Sequence, residues 1–212
     1  MVEIVPAILT NDFNDLKRKI KILEKYVKKV QIDVMDGVFL RGKTIQAEDL
    51  QKVKTKLKFQ IHLMADSPEV LIDDYAELKN VKEFIFHAKT MKPPGITGLI
   101  KHVHEHGMKA GVALSPETPV RTALKGFKIA DLALVLTVHP GAQARPFIRA
   151  QLKKIAQIKR INPKIKVGVD GGINLETCKL AIAHGADFLA VGSTVWKAKD
   201  KKKMIEQLRK CQ

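Results

Sequence analysis

The stretch VQIDVM, residues 30–35, alternates between two sets of side chains, with Val30, Ile32 and Val34 in one and Gln31, Asp33 and Met35 in the other. A period of two marks a β-strand, whose successive side chains point to opposite faces. The stretch FQIHLM at 59–64 repeats the pattern, setting Phe59, Ile61 and Leu63 against Gln60, His62 and Met64. At 167–170, Val167 and Val169 oppose Gly168 and Asp170. In all three the wholly apolar set suits a face covered by helices, so the other set faces an interior.

Working outward, strands are expected at Ile4–Leu9, Val30–Met35, Phe59–Met64, Glu83–His87, Ala110–Leu114, Leu132–Val138, Val167–Asp170 and Phe188–Val191. Helical patterns separate them. Phe13, Leu16, Ile20, Leu23 and Val27 form one stripe at spacings of three and four. Further helices are expected at Ala47–Lys56, Pro68–Leu78, Gly98–His106, Pro119–Lys125, Phe147–Ile161, Leu175–His184 and Lys201–Arg209. This alternation implies an α/β fold with a parallel sheet, and eight units is the number that closes a (β/α)8 TIM barrel. An open doubly wound sheet is the main alternative. No linker or composition break divides the chain, so one domain over residues 1–212 is expected.

A barrel of this kind carries its chemistry at the C-terminal strand ends. Asp33, His62 and Asp170 all point inward there. Burying such groups without a partner costs several kcal/mol, roughly, per charge. A shared divalent cation is the simplest partner, and carboxylate with imidazole suits Zn2+, Fe2+ or Mn2+. His87 is also expected to face inward, and His139 to stand at the rim. His102 and His106 share one face of a surface helix with no third ligand legible, so they read as surface residues.

Composition sets wider bounds. The chain has 212 residues, 45% of them hydrophobic, enough for one sizeable core. No apolar run is long enough to span a membrane, and MVEIVPAILTND carries no signal-peptide pattern. Cys178 and Cys211 read as two separate thiols, which points to a reducing compartment and a cytoplasmic protein. The net charge of +16 raises three readings: a lysine-rich solvated surface, steering of phosphorylated metabolites, and nucleic-acid binding. Lysines 17, 19, 21, 52, 54, 56, 153 and 154 are spread over several helices, and only Lys197 to Lys203 cluster, which favours the first. Aromatic content of 5% argues against single-strand binding by stacking, so nucleic acid is not an expected partner.

Seven stretches carry a family resemblance: PAILTNDF (6–13), QIDVMDGVF (31–39), IHLMADSPE (61–69), KAGVALSPETP (109–119), LTVHPG (136–141), VDGGIN (169–174) and AVGSTVW (190–196). In order and spacing the chain resembles the ribulose-phosphate 3-epimerase family from end to end. The resemblance implies a phosphorylated ketose substrate, one divalent metal ion and a homo-oligomer. It makes Asp33 and Asp170 the acid–base pair that inverts C3 through a 2,3-enediolate. Asp33, His62 and Asp170 would ligate the metal, with Gln31 at a fourth position. Ala7, Met35 and Met64 would line the substrate. Gly141, Arg145, Gly171, Gly172, Gly192 and Ser193 would serve the phosphate.

Several positions depart from the family pattern. Gln31 stands where the family has a histidine ligand, Ala7 where it usually has a serine, and Leu136 where it has a third methionine. In HPGAQARPF at 139–147, Gln143 and Ala144 replace adjacent glycines. Another ketose phosphate, such as a hexulose 6-phosphate, is therefore an alternative substrate. A barrel with weakened catalysis and a binding role is the alternative from a different class.

Overall fold

The computed structural model describes residues 2–139 and 146–211. The expected segments close into a barrel in the order β1-β2-β3-β4-β5-β6-β7-β8, every neighbour parallel. The strands are β1 (Glu3–Ile8), β2 (Lys29–Met35), β3 (Lys58–Met64), β4 (Val81–His87), β5 (Lys109–Leu114), β6 (Leu132–Leu136), β7 (Lys166–Asp170) and β8 (Phe188–Val191). The open-sheet alternative is excluded by the β1–β8 ladder, which pairs Glu3 with Phe188 and Pro6 with Val191.

Around the strands lie α1 (Phe13–Leu23), α2 (Ala47–Gln51), α3 (Pro68–Ala76), α4 (Pro93–Glu105), α5 (Leu124–Phe127), α6 (Lys153–Ile161), α7 (Thr177–Ala183), α8 (Ser193–Lys197) and α9 (Lys201–Arg209). Local chemistry sets their starts. Asp12 caps α1 by accepting from the Asn14 amide at 2.8 Å, and Asp200 caps α9 by accepting from Lys203 at 2.9 Å. A proline in the first turn opens α3, and another opens α4 several residues before the expected Gly98. Two expected helices are partly replaced by 3-10 turns, at Val120–Ala123 and Arg149–Leu152. The helix expected to reach Lys56 stops at Gln51, and Thr55 instead hydrogen-bonds to Glu24 and Leu57.

Two apolar regions hold the barrel. Strand outer faces pack on the helices, with Leu16, Ile20 and Leu23 of α1 fully buried among them. The lumen is filled by Val5, Ile85, Ala113, Leu132, Leu134, Leu136 and Phe188. Gly168 makes room there, because a Cβ at that position would lie 2.2 Å from the Phe188 ring. At the lumen's lower end Lys29 bridges Glu83 and Glu3, each at 3.0 Å, and Gln60 donates to Glu83 at 2.6 Å.

The cysteine expectation is overturned. Cys178, on α7, and Cys211, just beyond α9, form a disulfide with their Cα atoms 6.2 Å apart. They are 33 residues apart in sequence, and closure of the helix ring brings them together. Lys17, Lys21, Lys52, Lys54, Lys56 and Lys153 are exposed as expected, while Lys19 and Lys154 are half-buried. Among the described residues no helix is long and apolar enough to cross a membrane.

Candidate active site

Strand parity brings Asp33, His62 and Asp170 together at the C-terminal end of the lumen. Asp33 and His62 are in register on adjacent strands β2 and β3, and Asp170 ends β7. His62 Nδ1 lies 3.1 Å from Asp33 Oδ1 and 3.7 Å from Asp170 Oδ2. One ligand atom from each of the three falls within 4.8 Å of the others.

Gln31 sits one layer below and reaches up between the carboxylates. Its amide nitrogen donates to Asp33 Oδ1 and to Asp170 Oδ2, both at 2.8 Å, and lies 3.5 Å from His62 Nδ1. The residue is fully buried, yet its carbonyl oxygen has no hydrogen-bond partner among the described residues. An unsatisfied buried acceptor costs about 1–3 kcal/mol. Turning the amide over aims that oxygen at the place where the carboxylates and the imidazole converge. Two carboxylates, an imidazole and an orphaned amide oxygen therefore form a donor set that fits a divalent cation.

Behind His62 stands a relay of side chains. His62 Nε2 lies 3.0 Å from His87 Nε2, and His87 Nδ1 lies 3.2 Å from Ser115 Oγ. Both imidazoles are buried, and Phe39 covers His87 with ring centroids 4.9 Å apart. With His87 Nδ1–H donated to Ser115, His87 Nε2 accepts from His62 Nε2–H, so His62 Nδ1 faces the carboxylates, donating to Asp33 when the ring is protonated and offering a lone pair when it is neutral. The inward position of His87 follows from its strand parity. Ser115 was missed, although Gly111, Ala113 and Ser115 extend the same parity past β5.

Electrostatics separate these groups. Burial drives the Asp170 carboxyl up, the Asp33 charge adds to it, and His62 with the Gln31 amide opposes, for a pKa of about 6. Burial alone would lower His62, but its hydrogen bond to Asp33 and the two carboxylate charges outweigh that and raise it. His87 is held well below the usual imidazole range by burial and by its neighbours His62 and Lys89, so it is neutral.

Met35 and Met64 pair across β2 and β3 immediately above the Asp33–His62 pair, both buried. Ala7 is in register with Gln31, and its carbonyl accepts from Trp196 Nε1 at 2.7 Å. Leu136 is in register with Asp170 on the neighbouring strand and belongs to the apolar lumen cluster. Gly171 and Gly172 follow Asp170 with φ of 107° and 65°, which non-glycine residues rarely adopt. A Cβ on Gly171 would also lie 2.4 Å from Val138. Thr137 and Thr177 hold these two carbonyls. Gly192 and Ser193 start α8 at the same end of the barrel. His139 stays at the rim, 3.6 Å from Glu117 Oε2. Gly141, Gln143, Ala144 and Arg145 lie outside the described residues.

The family model described as "Ribulose-phosphate 3 epimerase family" matches residues 3–196. The chain is 36% identical to the ribulose-phosphate 3-epimerase of Bacillus subtilis, covering 99% of both proteins. It is 32% identical to that of Methanocaldococcus jannaschii, covering 99% of this chain and 90% of the relative. Among solved structures, 3-keto-L-gulonate-6-phosphate decarboxylase from Vibrio cholerae superposes with a TM-score of 0.77 at 12% identity, covering 99% of this chain and 96% of the other. That likeness shows the barrel fold. The chain belongs to the ribulose-phosphate 3-epimerase family.

Proposed function

From that membership we propose that this protein epimerises C3 of ribulose 5-phosphate, with Asp33 and Asp170 as its acid–base pair. The observation that carries the proposal is two carboxylates converging at one lumen end, both within reach of the Gln31 amide and the His62 imidazole. Asp170, with its pKa of about 6, exchanges a proton near neutral pH. One aspartate takes the C3 proton, leaving a 2,3-enediolate, and the other returns a proton to the opposite face. Each carboxyl ends in the state from which the reverse reaction begins.

Asp33, His62, Asp170 and the Gln31 carbonyl would hold one Zn2+, Fe2+ or Mn2+ ion. Such an ion, when bound, supplies Lewis-acid stabilisation of negative charge on the substrate oxygens. Before an ion binds, the Gln31 amide and His62 hold the carboxylate orientations, and His87 with Ser115 orients the His62 ring. Met35 and Met64 exclude water above the reacting carbon, and Ala7 leaves space beside it. The amides of Gly171, Gly172, Gly192 and Ser193 would receive the phosphate, together with Gly141 and Arg145.

Domain extent and assembly belong to the same reading: one domain over residues 1–212, working as a homo-oligomer. The Cys178–Cys211 bridge weighs against the cytoplasm, since reducing compartments disfavour disulfides. The departures at Ala7, Gln31 and Leu136 open the alternative of another ketose phosphate, such as a hexulose 6-phosphate. Solvent deuterium exchange into C3 of each sugar phosphate tests the choice. Exchange with ribulose 5-phosphate supports the proposal, and exchange with the hexulose phosphate alone rejects it.

A further inference from the structure

Away from the lumen, the outer helix layer brings together a second set of ligand-bearing side chains. His102 and His106 stand four residues apart at the end of α4, and neighbouring α3 supplies the third group, Asp73. His102 Nε2 lies 2.7 Å and His106 Nε2 lies 3.0 Å from the same oxygen, Asp73 Oδ1. One ligand atom from each of the three lies within 4.8 Å of the others. The two imidazole rings meet edge to face with centroids 5.0 Å apart, and both present Nε2 to the same Asp73 oxygen. We propose that Asp73, His102 and His106 form a surface binding site for a Zn2+-class divalent metal ion, joining α3 to α4.

Three features support this. Histidines at i and i+4 lie on one helix face, a spacing that lets two imidazoles share one ion. Tetrahedral Zn2+ with bonds of roughly 2.0–2.1 Å separates its ligands by about 3.3 Å. The two His–Asp73 separations therefore need to open by about 0.3 to 0.6 Å. Side-chain exposures of 64% for Asp73, 36% for His102 and 31% for His106 leave freedom for that and an open position for water. Finally, Glu105 Oε2 lies 3.7 Å from His102 Nδ1. A carboxylate there is placed to steady an Nδ1–H once Nε2 turns from Asp73 to a metal, the usual arrangement behind a ligating histidine. His104, between the two ligands in sequence, is diverted to Asp131 at 2.8 Å and takes no part.

The test is a Zn2+ titration of the metal-stripped full-length chain against a chromophoric chelator. The H102A/H106A double variant is expected to bind one equivalent fewer than the unaltered protein, and D73N to bind that equivalent at least about tenfold more weakly. H104A is the control and should match the unaltered protein. Epimerase turnover of H102A/H106A should be unchanged, because the site lies outside the barrel wall. The count is a difference, so it stands whether or not the lumen binds metal. Equal stoichiometry in the unaltered and double-variant proteins, each with the circular dichroism of the folded chain, would overturn the proposal. So would loss of the same equivalent in H104A.

Discussion

The Gln31 side-chain amide donates to Asp170 at 2.8 Å, joining β2 and β7 across the lumen although these strands share no ladder. It donates equally to Asp33, so one neutral amide occupies the ground between two carboxylates. An imidazole placed there would face both carboxylates with a lone pair or a proton. Gln31→His is therefore expected to tighten Zn2+ or Mn2+ binding by at least about tenfold. Competition titration reads the affinity. Unchanged affinity and turnover would mean that Gln31 does not limit the metal.

Asp33→Asn and Asp170→Asn each remove one proton carrier and keep the side-chain shape. Each is expected to slow solvent exchange at C3 by roughly 10²-fold or more. NMR in deuterated water measures it. Near-native exchange in either variant would dismiss the two-base assignment.

Asp170 also predicts a stability effect with a definite sign. Its folded pKa of about 6 lies above the ordinary 3.8, so the folded chain binds the proton more tightly than the unfolded chain. Stability is therefore lost as pH rises from about 4 to about 6 and is not recovered above. In metal-free protein, Asp170→Asn should be more stable than the original by up to about 2–3 kcal/mol at pH 7.5, and by little at pH 4. Urea unfolding at the two pH values checks this, and an equal effect at both would contradict it.

Replacing His87 with Phe keeps the ring and removes the acceptor for His62 Nε2. Metal affinity is expected to fall by about 10–100-fold as the His62 tautomer is released. Stability should drop by about 1–3 kcal/mol for the unpaired buried N–H. A chelator titration that matches the unaltered protein would remove His87 from the relay.

The Cys178–Cys211 bridge is expected to contribute about 3–4 kcal/mol, because it restrains a long loop in the unfolded chain. Unfolding with and without reductant should differ by that amount. Thiol titration of denatured, unreduced protein should find none free, and two titratable thiols would show the bridge unformed.

Much of this site was legible in the sequence, because strand parity is local: once 30–35 is a strand under helices, Asp33 must face the lumen. The same reasoning placed His62, His87 and Asp170. Eight repeats of one unit made a barrel the expected fold, but only the β1–β8 ladder, a contact between the two ends of the sheet, excluded an open doubly wound sheet. Tertiary structure decided whatever depends on which distant residues meet. Nothing in the local pattern says that the Gln31 amide spans Asp33 and Asp170, or that Ser115 ends the His62–His87 relay. Cys178 and Cys211 read as separate thiols because their approach is set by closure of the helix ring, 33 residues apart. His102 and His106 lacked a third ligand in the sequence for the same reason. Asp73 lies 29 residues before His102, and only the packing of α3 against α4 brings its carboxylate within hydrogen-bond reach.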